Sequence, residues 1–97
     1  MKNRFDISAF VNVLTVQTAM ENLAQRFRKR RKEKKLSQKR IARQSGVSYA
    51  SVRRFESSGQ ISLHSLMELA RVLGCLEDFN ELFKTPVISD LEDYGDD

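Results

Sequence analysis

The stretch LSQKRIARQSGVSYASVRRFESS, residues 36–58, decides the fold that the sequence predicts. Ser37 and Ser48 each precede a short run with apolar residues at helical spacing. A serine hydroxyl in that position can accept a hydrogen bond from an early N–H of the helix. Gly46 lies between the two runs and can adopt the left-handed conformation that ends a helix and opens a tight turn. The two helices are expected at residues 38–45 and 49–57.

These two predicted helices have the spacing of a helix-turn-helix. Ala42 is small enough to pack between them, and Val47 and Val52 fill the angle that they enclose. The start of the second helix is then free to project, and a helix about 10 Å wide fits a DNA major groove about 12 Å wide. Its first residues would meet base edges, and its free N–H groups would attract a phosphate. The pattern therefore predicts a protein that reads duplex DNA.

The rest of the chain adds three predicted helices and makes the fold all-α. Thr18 and Glu21 have the spacing of a capping box, in which a hydroxyl and a carboxylate satisfy early N–H groups of a helix. Leucines at helical spacing follow Ser62, and Gly74 ends that run. The three helices are expected at residues 18–34, 63–73 and 77–83. Helices this short are unstable alone, so we expect all five to share one core.

Length and composition exclude several classes of protein. A chain of 97 residues is long enough for one domain, which excludes a multidomain enzyme. Cys75 and His64 are the only residues of their types, so no internal disulfide and no cage of Cys and His around a metal can form. We expect no enzyme activity and no cofactor. Because neither an apolar run of membrane-spanning length nor a secretory signal is recognisable, we expect a cytoplasmic, nucleoid-associated protein with no membrane partner.

Positive charge is concentrated away from the end of the sequence. The net charge is +4, and residues 90–97 hold five acids and no base, which leaves +9 for residues 1–89. Residues 26–40 contain ten Lys or Arg and a single acid, Glu33. Such a density attracts polyanions, and double-stranded DNA is the leading predicted partner. The alternative is a basic helix face that is only solvated.

Residues 36–58 resemble the helix-turn-helix of the Xre/Cro repressors, and the resemblance extends over residues 18–83. It implies a five-helix domain of the lambda-repressor type that binds DNA. In that family the residue matching Gln38 meets the DNA backbone or an outer base. The family positions that face the major groove match Ser48, Tyr49, Ala50 and Arg54.

Two further expectations come from resemblance. The Xre/Cro family implies a largely buried ion pair between Arg31 and Glu56, which would tie the first helix to the end of the recognition helix. Residues 53–83 resemble a narrower group, the HipB-like antitoxins. That group implies a homodimer that represses its own operon and inactivates a HipA-like Ser/Thr kinase toxin. The alternatives are a phage-type repressor without a toxin and a protein-interaction module that does not read DNA.

The polar residues around the predicted turn have separate expected roles. Arg54 can fork to O6 and N7 of a guanine and is the predicted base reader, whereas Arg53 is the predicted phosphate contact. The alternative for both is a purely solubilising role. Ser48 is expected to be both a helix cap and a phosphate ligand. Contacts with the DNA backbone, or nonspecific electrostatic attraction to it, are also expected from Lys29, Arg30, Gln38, Lys39 and Gln60.

A twofold dimer is expected because one recognition helix covers only a few base pairs, and two helices can read half-sites about 34 Å apart. Residues 1–17 would form an arm, in which residues 5–16 are a strand or a helix and either complete the dimer or form a tail. Residues 18–84 are the predicted DNA-binding domain, and residues 85–97 are a predicted acidic, flexible tail. Dimer surface, with core packing as the equal alternative, is expected at Leu76, Phe79, Leu82 and Phe83.

Overall fold

A computed structural model of the protein describes residues 13–88, and this part of the chain is entirely helical apart from its turns and ends. Its four α-helices are α1 (Val16–Glu33), α2 (Gln38–Ser45), α3 (Tyr49–Ser58) and α4 (Leu63–Val72). A 3₁₀ helix, Leu76–Glu81, follows α4. The described residues contain five helical elements and no strand, which confirms the predicted all-α fold. The predictions for residues 1–12 and 89–97 lie outside this range.

The prediction that α1 begins at Thr18 is wrong, because Thr15 caps the helix one turn earlier. The Thr15 hydroxyl accepts a hydrogen bond of 3.0 Å from the backbone N–H of Thr18. Glu21 accepts a hydrogen bond of 2.9 Å from the Gln17 side chain instead of closing a capping box with Thr18. Two threonines three residues apart compete for the cap, and the helix starts from the first of them.

The other three α-helices begin at serine N-caps, as predicted. The hydroxyls of Ser37, Ser48 and Ser62 accept the backbone N–H three residues later at 3.0, 3.1 and 3.0 Å. Gly46 (φ +79°) and Gly59 (φ +81°) end α2 and α3 in the left-handed region. A Cβ at Gly59 would lie 2.9 Å from a backbone carbon of α1, so this glycine also lets the two helices approach closely.

The core lies on the inner side of α3. The largest fully buried side chains are Ile41 of α2, Val52 and Phe55 of α3, and Leu69 of α4. The Phe55 ring packs against Phe27 of α1, with ring centroids 5.3 Å apart and tilted by 55°. Because α1 and α2 pack against this side of α3, its opposite side is left exposed.

The turn between α2 and α3 is tightly packed. Ala42, Val47 and Val52 are all buried, which confirms the prediction that they fill the angle between the helices. Ser45 is also buried, and its hydroxyl accepts a hydrogen bond of 3.1 Å from the Val47 N–H and donates to the Ala42 carbonyl. This hydroxyl satisfies backbone groups that the turn would otherwise bury without a partner.

The last predicted helix differs from the expected one in type and in range. An α-helix was expected at residues 77–83, but the chain forms the 3₁₀ helix Leu76–Glu81. Leu82 is extended and Phe83 has a φ of +66°, so neither can continue a helix. Cys75 is partly buried and packs against the core. No helix of the described part is long and apolar enough to cross a membrane.

Candidate nucleic-acid interface

The outer side of α3 presents a group of exposed side chains, because Val52 and Phe55 take the inner side. Four of the residues predicted to contact DNA lie on this outer side: Tyr49, Ala50, Arg53 and Arg54. Their position follows from the 3.6-residue period of the helix, which separates them from the buried pair. The four side chains are therefore exposed together on one side of α3.

Tyr49 lies between two cations at the start of α3. The Lys39 Nζ atom of α2 and the Arg53 guanidinium carbon of α3 are each 5.5 Å from the centre of its ring. Both distances are within the range of a cation–π interaction. The ring therefore holds two predicted phosphate contacts close together on the outer surface of the turn.

Arg54 is oriented by the loop that follows α3. Its Nη2 atom donates a hydrogen bond of 2.7 Å to Oε1 of Gln60. A guanidinium has five N–H donors in a fixed plane, so this bond leaves further donors for a ligand. Arg54 and Gln60 also line one end of an open cleft with Ser51, Ser62 and Ser65. The structure thus brings together two residues that were predicted to contact DNA separately.

Ser48 caps α3 and points its hydroxyl along the first turn. This hydroxyl accepts the Ser51 N–H at 3.1 Å and lies 2.9 Å from the Ser51 hydroxyl. The cap is therefore made within the protein, and the exposed N-terminal end of α3 retains the partial positive charge of a helix start. Lys39 of α2 and Ala50 of α3 are exposed as well.

A buried ion pair fixes α3 to α1, as the family resemblance implies. Nε of Arg31 lies 2.7 Å from Oε2 of Glu56, and Nη2 lies 3.1 Å from Oε1. The two side chains are only 7% and 6% exposed. Nη1 of Arg31 also donates to the Leu36 carbonyl at 2.7 Å, which holds the chain between α1 and α2. This bidentate geometry is the strong form of an ion pair.

Gln38 belongs to the same network. Its Nε2 atom donates a hydrogen bond of 2.9 Å to Oε1 of Glu56, and its side chain is half-buried at the start of α2. The sequence predicted Gln38 only as a contact with DNA. The structure shows that Glu56 also sets the orientation of its amide, while the second N–H of the amide can still donate to another group.

Arg28 is a residue that sequence reasoning missed. Its Nε atom is 3.8 Å from Oε1 of Glu56, and its side chain is 58% exposed. It lines an open cleft together with Gln38, Ala50 and Arg53. The signal was present in the sequence, because Arg28 and Arg31 are three residues apart and share one face of a helix.

Two other basic residues of α1, Lys29 and Arg30, face elsewhere. Lys29 lines a shallow depression with Asn22 and Gln25, away from α3. Arg30 lies 3.8 Å from Glu33 at the surface and borders a groove on the side of α4. The structure therefore does not bring these two predicted phosphate contacts together with the outer side of α3.

The predicted dimer residues lie in the 3₁₀ helix and directly after it. Phe79 and Leu82 line an apolar groove between α1 and α4, while Leu76 and Phe83 lie outside it. Leu82 is 65% exposed and Phe83 is 94% exposed, so neither side chain is part of the core. This leaves an apolar surface in the described part of the chain that is separate from α3.

Titratable groups in residues 13–88 give no metal centre: no group of three His, Cys, Asp or Glu residues there could hold an ion. His64 is an exposed residue 3.7 Å from Glu68. A hydrogen bond of 2.8 Å from Arg71 lowers the pKa of the Glu68 carboxyl below its ordinary value. This cluster lies on α4, outside the outer side of α3.

Comparison with known proteins agrees with this geometry. The model of the helix-turn-helix family matches residues 27–79, from the middle of α1 to the 3₁₀ helix. Neither a curated protein nor a solved structure matches the chain. The narrower HipB-like resemblance thus gains no support from these comparisons. Because the matched residues are more than half of the chain and include α2, the turn and α3, the protein belongs to the Xre-like helix-turn-helix family.

Proposed function

We propose that the protein, a DNA-binding transcription regulator by its family, is a repressor that binds a palindromic operator as a homodimer. The observation that carries this proposal is the outer side of α3, where Tyr49, Ala50, Arg53 and Arg54 are exposed together. The Arg31–Glu56 ion pair supports it by fixing the angle of α3 on α1. A rigid, projecting helix keeps its side chains in register with base edges.

Base reading is assigned mainly to Arg54. A guanidinium can donate two parallel hydrogen bonds to O6 and N7 of guanine in the major groove. The bond from Arg54 to Gln60 supports this role because it limits the rotamers of a long side chain before binding. Ala50 and Tyr49 would supply apolar contacts beside Arg54, for which a thymine methyl is a suitable partner.

Contacts with the DNA backbone are assigned to the residues around the turn. Lys39 and Arg53, held near Tyr49, carry the charges that would meet phosphates. The N-terminal end of α3 at Ser48 offers backbone N–H groups and a favourable dipole. Gln38 and Gln60 would add neutral hydrogen bonds to the sugar-phosphate chain.

The dimer is assigned to the 3₁₀ helix and the residues directly after it. The apolar side chains there support this role, since Leu76, Leu82 and Phe83 are exposed and the half-buried Phe79 lines the groove. An arm at residues 1–17 and an acidic tail at residues 85–97 remain predictions. A regulator of this kind works on the chromosome, and we propose that it acts in the cytoplasm at the nucleoid.

The repressor is further proposed to be the antitoxin of a HipA-like Ser/Thr kinase. The support for this is the resemblance of residues 53–83 to HipB-like proteins. A phage-type repressor would have the same DNA-binding surface and no kinase partner. A protein-interaction module would have the same fold and no preference among DNA sequences. Purification together with the product of a neighbouring kinase-like gene tests the antitoxin role. If the two proteins do not purify together, the phage-type repressor is favoured instead.

A gel-shift experiment with DNA from upstream of the protein's own gene tests the DNA-binding role. Arg54→Ala should cost about 1–3 kcal/mol on that DNA and much less on a scrambled duplex, because a base contact is lost. Arg71→Ala is the matched control, since it removes the same charge from α4, where Arg71 pairs with Glu68. Equal losses on both duplexes, or equal effects of the two variants, would contradict the assignment of Arg54.

A further inference from the structure

We propose that the cleft between α1, α2 and α3 is a site for one phosphate of the DNA backbone, with Arg28 as its main cation. The proposal rests on the DNA-binding role proposed above and adds a residue that was not among the predicted DNA contacts. Arg28 comes from α1, Gln38 from the start of α2, and Ala50 and Arg53 from α3. Three helices thus contribute to one concave surface beside the recognition helix.

The charges in this cleft favour an anion. Glu56 lies in its lining, but its carboxylate is engaged by two short bonds from Arg31 and one from Gln38. The Arg31–Glu56 pair is therefore neutral as a unit. Arg28 and Arg53 add two positive charges in the same cleft, and Arg54 adds a third at its edge. An anion that enters would meet an excess of positive charge.

Arg28 is suited to this role by its loose contact with Glu56. The distance of 3.8 Å from Nε to Oε1 is too long for a hydrogen bond, and more than half of the side chain is exposed. The guanidinium thus lies near the cleft, and its N–H groups make no hydrogen bond to the Glu56 carboxylate at this distance. A planar guanidinium matches the oxygens of a phosphate, and one such contact is of the charge-assisted kind.

The position of the cleft selects a backbone phosphate over a base. Ala50 and Arg53 in its lining belong to the outer side of α3, which would lie in the major groove. The phosphates of a strand border that groove, so a strand that passes α3 on the side of α1 would reach Arg28. Contacts of this type fix the position of a protein on DNA without reading sequence.

The experiment measures binding of fluorescent operator and scrambled duplexes over a range of salt concentrations. Arg28→Ala should weaken binding to both duplexes by the same factor, roughly tenfold. It should also reduce the slope of log affinity against log salt by about 0.9, the value for one lost phosphate contact. Arg28→Lys keeps the charge and should restore most of the slope.

Arg26→Ala is the matched control, because it removes an arginine from α1 on the side that lines the groove with Phe79 and Leu82. It should leave the slope near that of the unchanged protein. Equal slopes for the Arg28→Ala and unchanged proteins, or equal changes for Arg28→Ala and Arg26→Ala, would overturn the phosphate site while leaving the repressor intact. Absence of salt-dependent duplex binding by the unchanged protein would overturn both. Thermal unfolding should be the same for the two alanine variants, and a selective loss of stability in Arg28→Ala would assign Arg28 to the fold instead.

Discussion

The ion pair between Arg31 and Glu56 allows a quantitative prediction about stability. Arg31→Met leaves Glu56, whose side chain is only 6% exposed, without its two bonds from Arg31. Breaking one partner of a buried pair costs about 3–5 kcal/mol, because the other charge stays in a medium that solvates it poorly. Gln38 still donates to Glu56, and Arg28 lies 3.8 Å away, so we expect the lower end, about 3 kcal/mol.

A loss of this size is large for so small a protein. A chain of 97 residues has a total free energy of unfolding of roughly 5–15 kcal/mol. Glu56→Leu should cost at least as much as Arg31→Met, since an arginine cannot lose its proton and would remain charged in the core. The double variant replaces both charges with apolar groups and should cost much less than the sum of the two.

Urea unfolding followed by circular dichroism measures the four proteins of this cycle. We expect a coupling free energy of about 2–3 kcal/mol between Arg31 and Glu56. The exposed pair of Arg30 and Glu33, also on α1, is the control, and its coupling should be below about 0.5 kcal/mol. Additive losses at Arg31 and Glu56 would refute the reasoning, because they would mean that the two charges do not depend on each other.

Two further predictions concern the glycines that end α2 and α3 and the bond between Arg71 and Glu68 on α4. Gly59→Ala should destabilise the protein by about 2–3 kcal/mol, because alanine is strained at φ +81° and its Cβ would meet the backbone of Met20. Gly46→Ala has the same backbone strain but open space around it, so it should cost only about 1 kcal/mol when both variants are unfolded in urea. Equal costs for the two variants would contradict the close contact of α1 with α3. The bond from Arg71 lowers the pKa of Glu68, so its stabilisation is present above the unfolded-state pKa and lost as pH falls through the folded-state value. Arg71→Ala should raise this pKa in an NMR titration, and an unchanged value would show that the bond is not made in solution.

Local chemistry explains why much of the fold could be predicted from the sequence. Ser37, Ser48 and Ser62 cap their helices through bonds to N–H groups three residues away, which the order of residues alone reveals. The start of α1 was missed because Thr15 and Thr18 are both suitable caps, and only packing decides between them. The 3₁₀ helix was expected to be α-helical because the spacing of its apolar residues does not separate the two types.

The residues of the candidate site could be predicted from the sequence, but the hydrogen bonds and ion pairs between them could not. Exposure of Arg53 and Arg54 follows from the helical period, once Val52 and Phe55 are assigned to the core. The bond between Gln38 and Glu56 joins residues 18 positions apart, and its geometry depends on how α2 and α3 are packed. Arg28 shares a helix face with Arg31, but its distance to Glu56 depends on how α1 and α3 are packed. These contacts therefore depend on the tertiary packing of the helices, which local sequence patterns do not reveal.

Methylation protection of guanine N7 tests most directly whether α3 reads the major groove. With the bound upstream DNA, we expect two protected patches one helical turn, about 10 base pairs, apart. Arg54→Ala should remove protection at one guanine in each patch and leave the rest, because a single base contact is lost. Binding that leaves every guanine N7 reactive, or that protects only adenines in the minor groove, would contradict the account.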